Sequence, residues 1–193
     1  TGFTLGTGTR VSTSITNPYT LAGLTTYNSL DWYVRSICGV NDSSDWSDAN
    51  NFFVGLPMSG TFTIDSAVAT GGTNFQSFAD FTNLIANIGV SGPVTVNVAA
   101  GTYNDQVSLG SIPGASATNT VTLDGGNAVN TIVTHDQSIR ASTINLDGTS
   151  YLTIRNMTID VSAGTGFDKW GIHIWNGANN IIIDNNIITM PVG

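Results

Sequence analysis

Two stretches near the end of the chain, YLTIRNMTID at 151–160 and NIIIDNNIIT at 180–189, carry nearly the same text 29 residues apart. Leu152 aligns with Ile181, Ile154 with Ile183, Asn156 with Asn185 and Ile159 with Ile188. Further back, INL at 144–146 matches IHI at 172–174 at an offset of 28, so one residue is inserted between the two matches. A unit of this length holds two or three short strands, too few to bury their own apolar side chains. Such units are stable only when neighbours above and below complete the core, which is the signature of a solenoid. Equivalent aliphatic residues are then expected to stack inside the coil, and Asn156 and Asn185 to stack at a turn with their amides hydrogen-bonded. NTVTLDGG at 119–126 and STINLDGT at 142–149 read as near copies, pairing Leu123 with Leu146 and Asp124–Gly125 with Asp147–Gly148. Each Asp-Gly suits a tight bend that needs positive φ.

Composition supports strands and turns. Charged residues make up only 9% of the chain against 40% hydrophobic, and all 13 acids are Asp. Solubility therefore rests on Thr, Ser, Asn and Gly, which favour strands and turns, and not on the helix-compatible Glu and Lys. A net charge of −8 with a single Lys repels phosphate backbones and anionic lipid, so neither nucleic acid nor a membrane surface is an expected partner. No apolar run approaches 18 residues, so no membrane insertion is expected. The opening TGFTLGTGTR and the closing IITMPVG read as text from inside a longer protein.

The chain falls into two zones, 1–56 and 57–193. In the first, strand-and-turn units alternate: TGFTLGTGTRVST, PYTLAGL, LDWYVRSICG and NNFFVG. Alternation in LDWYVRSIC places Leu30, Trp32, Val34 and Ser36 on one face and Asp31, Tyr33, Arg35 and Ile37 on the other. The segment from Asn17 to Val54, with YTLAGL, WYVRSICG and SDWS before a last strand, resembles the second half of a fibronectin type III module of the kind found in secreted and surface proteins of Bacteroidetes-type bacteria. Leu30 stands where that family usually has a corner Tyr, and Tyr27 is the alternative source of the corner hydroxyl. Cys38 has no partner in the chain. It reads as a buried free thiol, with a disulfide to a cysteine upstream as the other reading.

The second zone opens with one amphipathic helix over 74–89. Phe75, Phe78, Phe81, Leu84, Ile85 and Ile88 form its apolar stripe, Ser77 or Asn74 is its cap, and Gly89 its stop. One stripe needs one partner surface, and the open end of a strand stack supplies it. Val94, Val96, Val98, Tyr103 and Val107 are expected to point inward. With AAGTYNDQVSL following the helix, 57–193 resembles the N-terminal cap and first coils of a right-handed parallel β-helix of the pectin-lyase-like superfamily. The whole chain is thus expected to be all-β, a partial fibronectin-III-like sandwich followed by that solenoid with its single capping helix.

The resemblance implies polysaccharide chemistry in some members, which requires either grouped aspartates for calcium with a basic residue, or an Asp-Asp pair with Gly-His-Gly. Neither DD nor GHG occurs here. Asp160 and Asp184 are the outward acids nearest Arg155, too few oxygens for calcium. No metal site or cofactor is expected in this chain; calcium stays open for a longer parent protein. Arg155 lies under Asp184 in the alignment, either as a ladder ion pair or as a contact for a sugar carboxylate. His173 is expected to point outward above Asn145, with Thr122 one coil lower, and Trp170 and Trp175 are expected to flank it in a bulging turn. Flat aromatic faces beside hydrogen-bonding groups suit a sugar ring, so Trp170, His173, Trp175, Asn145 and Arg155 are the candidate glycan-binding residues. The alternative is that the tryptophans merely cover the coil. Asp42, Asp45 and Asp48 read as solvated turn acids, and His135 as a loop residue beside Asp136.

These readings converge on a secreted or cell-surface scaffold, adhesin-like or carbohydrate-associated and non-catalytic, whose partner is a polysaccharide or cell-surface glycan. A polysaccharide lyase or glycoside hydrolase with its site partly beyond residue 193 is the second reading, and a structural spacer the third.

Overall fold

A computed structural model describes residues 28–40, 42–136, 141–162 and 169–190. The chain divides between Leu56 and Pro57 into two compact units. In the first unit the described strands are β1 (Asn28–Trp32), β2 (Ile37–Gly39), β3 (Asp42–Ser43) and β4 (Asn50–Val54). β1 pairs antiparallel with β4, and β2 with β3. The continuous strand expected over 30–38 is broken at 33–36, where Val34 and Ser36 donate their N–H groups to the Ser47 and Ser44 hydroxyls. The Ser44 and Ser47 N–H groups in turn donate to the Ser36 and Val34 carbonyls at 3.1 and 2.8 Å, so each serine bonds the segment through both side chain and backbone. The Arg35 guanidinium lies over the Trp46 ring at 4.7 Å. Cys38 is exposed, not buried as its sequence suggested, because β2 is covered on neither side among the described residues. YTLAGL and Tyr27 lie outside the described residues, and so does the expected corner.

The second unit is a parallel β-solenoid of about four turns. It begins with β5 (Met58–Ile64), the short β6 (Asn74–Phe75) and α1 (Phe78–Ile88). Three successive coils follow: β7 (Val90–Val98), β8 (Gly101–Asn104) and β9 (Val107–Leu109); β10 (Val121–Asp124), β11 (Thr131–Thr134) and β12 (Ser142–Asp147); β13 (Ser150–Arg155), β14 (Thr158–Asp160) and β15 (Trp170–Trp175). The last described coil supplies β16 (Asn179–Asp184) and β17 (Ile187–Thr189). Equivalent strands pair in parallel into three sheets, with orders β16-β13-β10-β7-β5-β6, β17-β14-β11-β8 and β15-β12-β9.

The register follows the aliphatic repeat. Leu152 lies against Ile181, Ile154 against Ile183, Ile159 against Ile188, and Ile144 against Ile172. Below them Val94, Val121 and Leu152 form one inward column, and Val96, Leu123 and Ile154 another. These side chains are essentially inaccessible. Strands about 4.8 Å apart bring each aliphatic group into van der Waals contact with its copies above and below. Burying one such side chain contributes about 1.5–3 kcal/mol.

α1 closes the lower end. It starts at Phe78, later than the expected Asn74, because Asn74 and Phe75 pair with Thr63 and Ile64 as β6. Ser77 is the N-cap, accepting from the Asp80 N–H, and Gly89 terminates the helix at φ +66°. Asp105 also reaches the helix start, where its carboxylate accepts from the Ala79 N–H at 3.0 Å. Phe78, Phe81 and Ile85 are fully buried, and Phe78 meets Tyr103 edge-on at 5.4 Å. The Tyr103 hydroxyl donates to the carbonyls of Ala99 (2.9 Å) and Ile64 (3.1 Å), tying β5 to the first coil. Burial, with the nearby Asp65 charge, holds its pKa above the usual phenol range.

The two LDG segments do not stack on each other, contrary to the sequence alignment. Leu123 lies between Val96 and Ile154, whereas Leu146 lies between Leu109 and Ile174 in a different sheet. Nor do their bends match: positive φ falls on Gly126 after the first Asp-Gly but on Gly148 in the second. Gly125 is required for space instead. A Cβ there would sit 2.2 Å from the Asn156 carbonyl oxygen and 3.0 Å from Met157 Cβ. Gly125→Ala is therefore expected to destabilise the solenoid by about 1–3 kcal/mol in urea unfolding, as overpacking does. Gly71→Ala, where the added Cβ meets nothing within 4 Å, should unfold close to the parent.

Candidate functional site

The candidate residues fall on two different sheets. Asn145, Trp170, His173 and Trp175 lie on the β9-β12-β15 sheet, whereas Arg155 ends β13 in the six-stranded sheet. The outward column under His173 runs through Asn145 to Ser108. Ser108 thus takes the place expected of Thr122, which lies in the other sheet between Thr95 and Thr153.

On β15 the alternation turns Ile172 and Ile174 toward the core and His173 and Trp175 outward. The three rings then stack. Trp170 and His173 have centroids 4.9 Å apart at 27°, and His173 and Trp175 lie 5.6 Å apart at 5°. The imidazole stacks against both indoles, and each indole keeps part of its surface in solvent. Trp170 is 40% exposed and Trp175 46%. The Trp175 indole N–H donates to Asn145 Oδ1 at 3.0 Å, and Asn145 Nδ2 donates to Ser108 Oγ at 3.3 Å. Because an indole N–H can only donate, it fixes which end of the Asn145 amide faces upward. Asn145 keeps one N–H and one lone pair beyond these bonds. The depressions near the start of α1 and beside Asn74 are lined by other residues.

Arg155 does not pair with Asp184, although the two are register neighbours. Its guanidinium turns one coil down. Nε and a terminal nitrogen reach Asp124 Oδ2 at 2.8 and 2.7 Å. Asp124 Oδ1 accepts from Asn156 Nδ2 (2.8 Å) and from the Gly126 N–H (2.9 Å). The carboxylate is thus saturated. Burial pushes its pKa up, but the bonds from Asn156, Gly126 and Arg155 outweigh it and hold the group below the usual carboxylate range. The guanidinium ties two coils together through Nε and one terminal nitrogen, and its side chain remains 43% exposed.

The expected amide stack is present, since Asn185 Nδ2 donates to Asn156 Oδ1 at 2.7 Å. Sequence reasoning missed how it starts. Asp124 is its lowest rung, and a second ladder starts in the same way where Asn176 Nδ2 donates to Asp147 Oδ1 at 2.9 Å. In both, an Asp-Gly lies one coil below the Asn, and the glycine N–H bonds the carbonyl just before that Asn: Gly125 to Arg155 (3.0 Å) and Gly148 to Trp175 (3.1 Å). The signal was an Asp-Gly about one coil length before an Asn, legible only once the coil length is known. Asn156, Asn176 and Asn185 all take left-handed backbone, which Asn adopts more readily than most residues.

Among the described residues, no group of three or more His, Cys, Asp or Glu side chains is placed to hold a metal ion. No described helix is long and apolar enough to cross a membrane. Comparison with protein-family models, curated proteins and solved structures finds no match to this chain.

The depressed Asp124 pKa sets an expected pH dependence. Its folded-state pKa lies below the unfolded value of about 3.9, so its contribution is present above that value and is lost as pH falls through the folded pKa. Asp124→Asn should lower urea-unfolding stability at about pH 7, and the deficit should shrink as the pH falls through the folded-state pKa of the parent carboxyl.

Proposed function

We propose that this chain belongs to a secreted or cell-surface scaffold that contacts carbohydrate through the Trp170–His173–Trp175 stack. The observation that carries the reading is two half-exposed indoles fixed on a rigid parallel sheet beside the amide and hydroxyl column of Asn145 and Ser108. An indole face offers apolar contact to sugar C–H groups, and neighbouring amides and hydroxyls offer directed bonds to sugar hydroxyls. The net charge of −8 favours neutral glycans over polyuronates. The solenoid supports assignment to a right-handed, pectin-lyase-like β-helix, and the antiparallel strands before Leu56 are compatible with part of a fibronectin-III-like module. Asp124 engages Arg155 in an ion pair, which supports a structural role for that cation over one as the base of a lyase-type site.

The test is retention of the chain on immobilised neutral and acidic polysaccharides, with calcium present, and size-exclusion chromatography of the polymers afterwards. Retention on a neutral glycan is expected. Trp175→Ala and Trp170→Ala should each weaken it by on the order of ten-fold, equivalent to about 1.4 kcal/mol. Retention unchanged in both variants would remove the stack from the reading. Shortening of any polymer would replace the scaffold with an enzyme.

A further inference from the structure

The polar column beside the aromatic stack has a direction that its residue types impose. The Trp175 indole N–H only donates, so it draws Asn145 Oδ1 toward itself and leaves Asn145 Nδ2 facing Ser108. An amide nitrogen also only donates. Ser108 Oγ is therefore the acceptor of that 3.3 Å bond, and its own proton must point elsewhere. Among the described residues no acceptor takes it. Asn145 Nδ2 likewise carries a second proton beyond this bond. The result is two unspent donors on atoms 3.3 Å apart, one on the half-buried Asn145 and one on the exposed Ser108.

Two donors this close match two acceptor oxygens held side by side on one molecule. A sugar offers these as hydroxyls on adjacent ring carbons, and a uronic acid offers a carboxylate. Charge decides between them. Asp147 stands two residues from Asn145 on the same outward side of β12. That is roughly 7 Å, inside the screening length of about 8 Å at physiological salt, so its carboxylate opposes an anion at the pair. Lys169 lies four residues before His173, the register partner of Asn145. That is roughly 13 Å along the strand direction and beyond the same length. The pair suits an uncharged diol.

The indole that orients Asn145 is itself 46% exposed. Its bond to Asn145 sets apolar surface and the donor pair side by side. A pyranose is divided in the same way, between a C–H face and a hydroxyl edge. His173, stacked on Trp175 at 5.6 Å and 5°, supports the indole plane and acts as a positioning residue.

We infer that Asn145 and Ser108 clamp a vicinal diol, and that the ligand of this face is a neutral sugar with two free hydroxyls on adjacent carbons. The inference rests on the glycan reading above and narrows it. The rings supply affinity, and the Asn145–Ser108 pair supplies choice.

The full chain is titrated with the methyl glycosides of glucose, mannose and galactose, with their 3-deoxy analogues, and with the methyl glycoside of glucuronic acid. The 3-deoxy sugars keep the ring but have no vicinal diol. Binding is read from the NMR shifts of the Trp175 indole N–H and the Asn145 side-chain amide. At least one neutral glycoside is expected to bind about ten-fold or more tighter than its 3-deoxy analogue, since a directed polar site rejects a ligand that lacks the matching hydroxyl. Ser108→Ala should bind the two members of that pair alike, Ser108→Thr should restore the preference, and Trp175→Ala should weaken both. Equal affinities in the parent chain, or a preference that survives Ser108→Ala, would overturn the diol clamp and leave the glycan reading standing. Tighter binding of the glucuronide would assign the pair to a carboxylate and overturn the clamp as well. No shift with any of these sugars would overturn both.

Discussion

Everything in the solenoid depends on contact between one coil and the next. A single coil carries a handful of aliphatic side chains and no second layer to cover them. Burial of Leu123, Ile154 or Val133 to zero exposure is a property of three successive coils and not of any one. Parallel pairing supplies the backbone hydrogen bonds and also sets the spacing at which the side chains meet. The same dependence makes the two ends special. Helix α1 meets it at the lower end with Phe78, Phe81 and Ile85, and Tyr103 bonds that end back to β5 through its hydroxyl.

Hydrophobic columns alone fix the register poorly, because aliphatic side chains are interchangeable along a column. The corners carry the discrimination. At each ladder a carboxylate sits beside a glycine, and the next coil places an Asn above that glycine, with its backbone in the left-handed region. Slipping one coil by a residue would break the amide bond and turn the inward side chains to the outer face together. A chain with so few charged residues achieves this with neutral amides, each anchored at the base by one aspartate, and only Asp124 recruits an arginine as well.

The fold was legible where the sequence copies itself at a constant offset. Leu152, Ile154 and Ile159 foretold Ile181, Ile183 and Ile188 because stacking demands like side chains at like positions. Asn156 and Asn185 were legible for the same reason. The two LDG segments misled because similarity of text reflected similarity of role, the start of a ladder, at two different corners. The partner of Arg155 was hidden because register names the residues that face each other, whereas a long side chain can turn up or down. Asp124 drew it down, being already held in a bend by the Gly126 N–H. For the candidate site, outward-facing His173 was legible from alternation along β15, and Trp175 shares its parity; Trp170 shares parity with Ile172 and Ile174, so alternation alone does not turn it outward. The mutual stacking of the three rings was not legible, since it depends on side-chain rotation. Cys38 lies in a pair of short strands with no covering layer among the described residues, and no local pattern in the sequence signals its exposure.

An amide that holds a structure together is also a slowly hydrolysable bond. Asn176 sits just before Gly177 in an exposed turn, and its side-chain nitrogen is 2.9 Å from the Asp147 carboxylate. Loss of that nitrogen as ammonia would leave a second carboxylate in its place, turning a donor–acceptor contact into like-charge repulsion at the corner that supports Trp175. Were that loss to occur, the aromatic face beside Trp175 would rest on a corner with two facing carboxylates, so its durability depends on one amide.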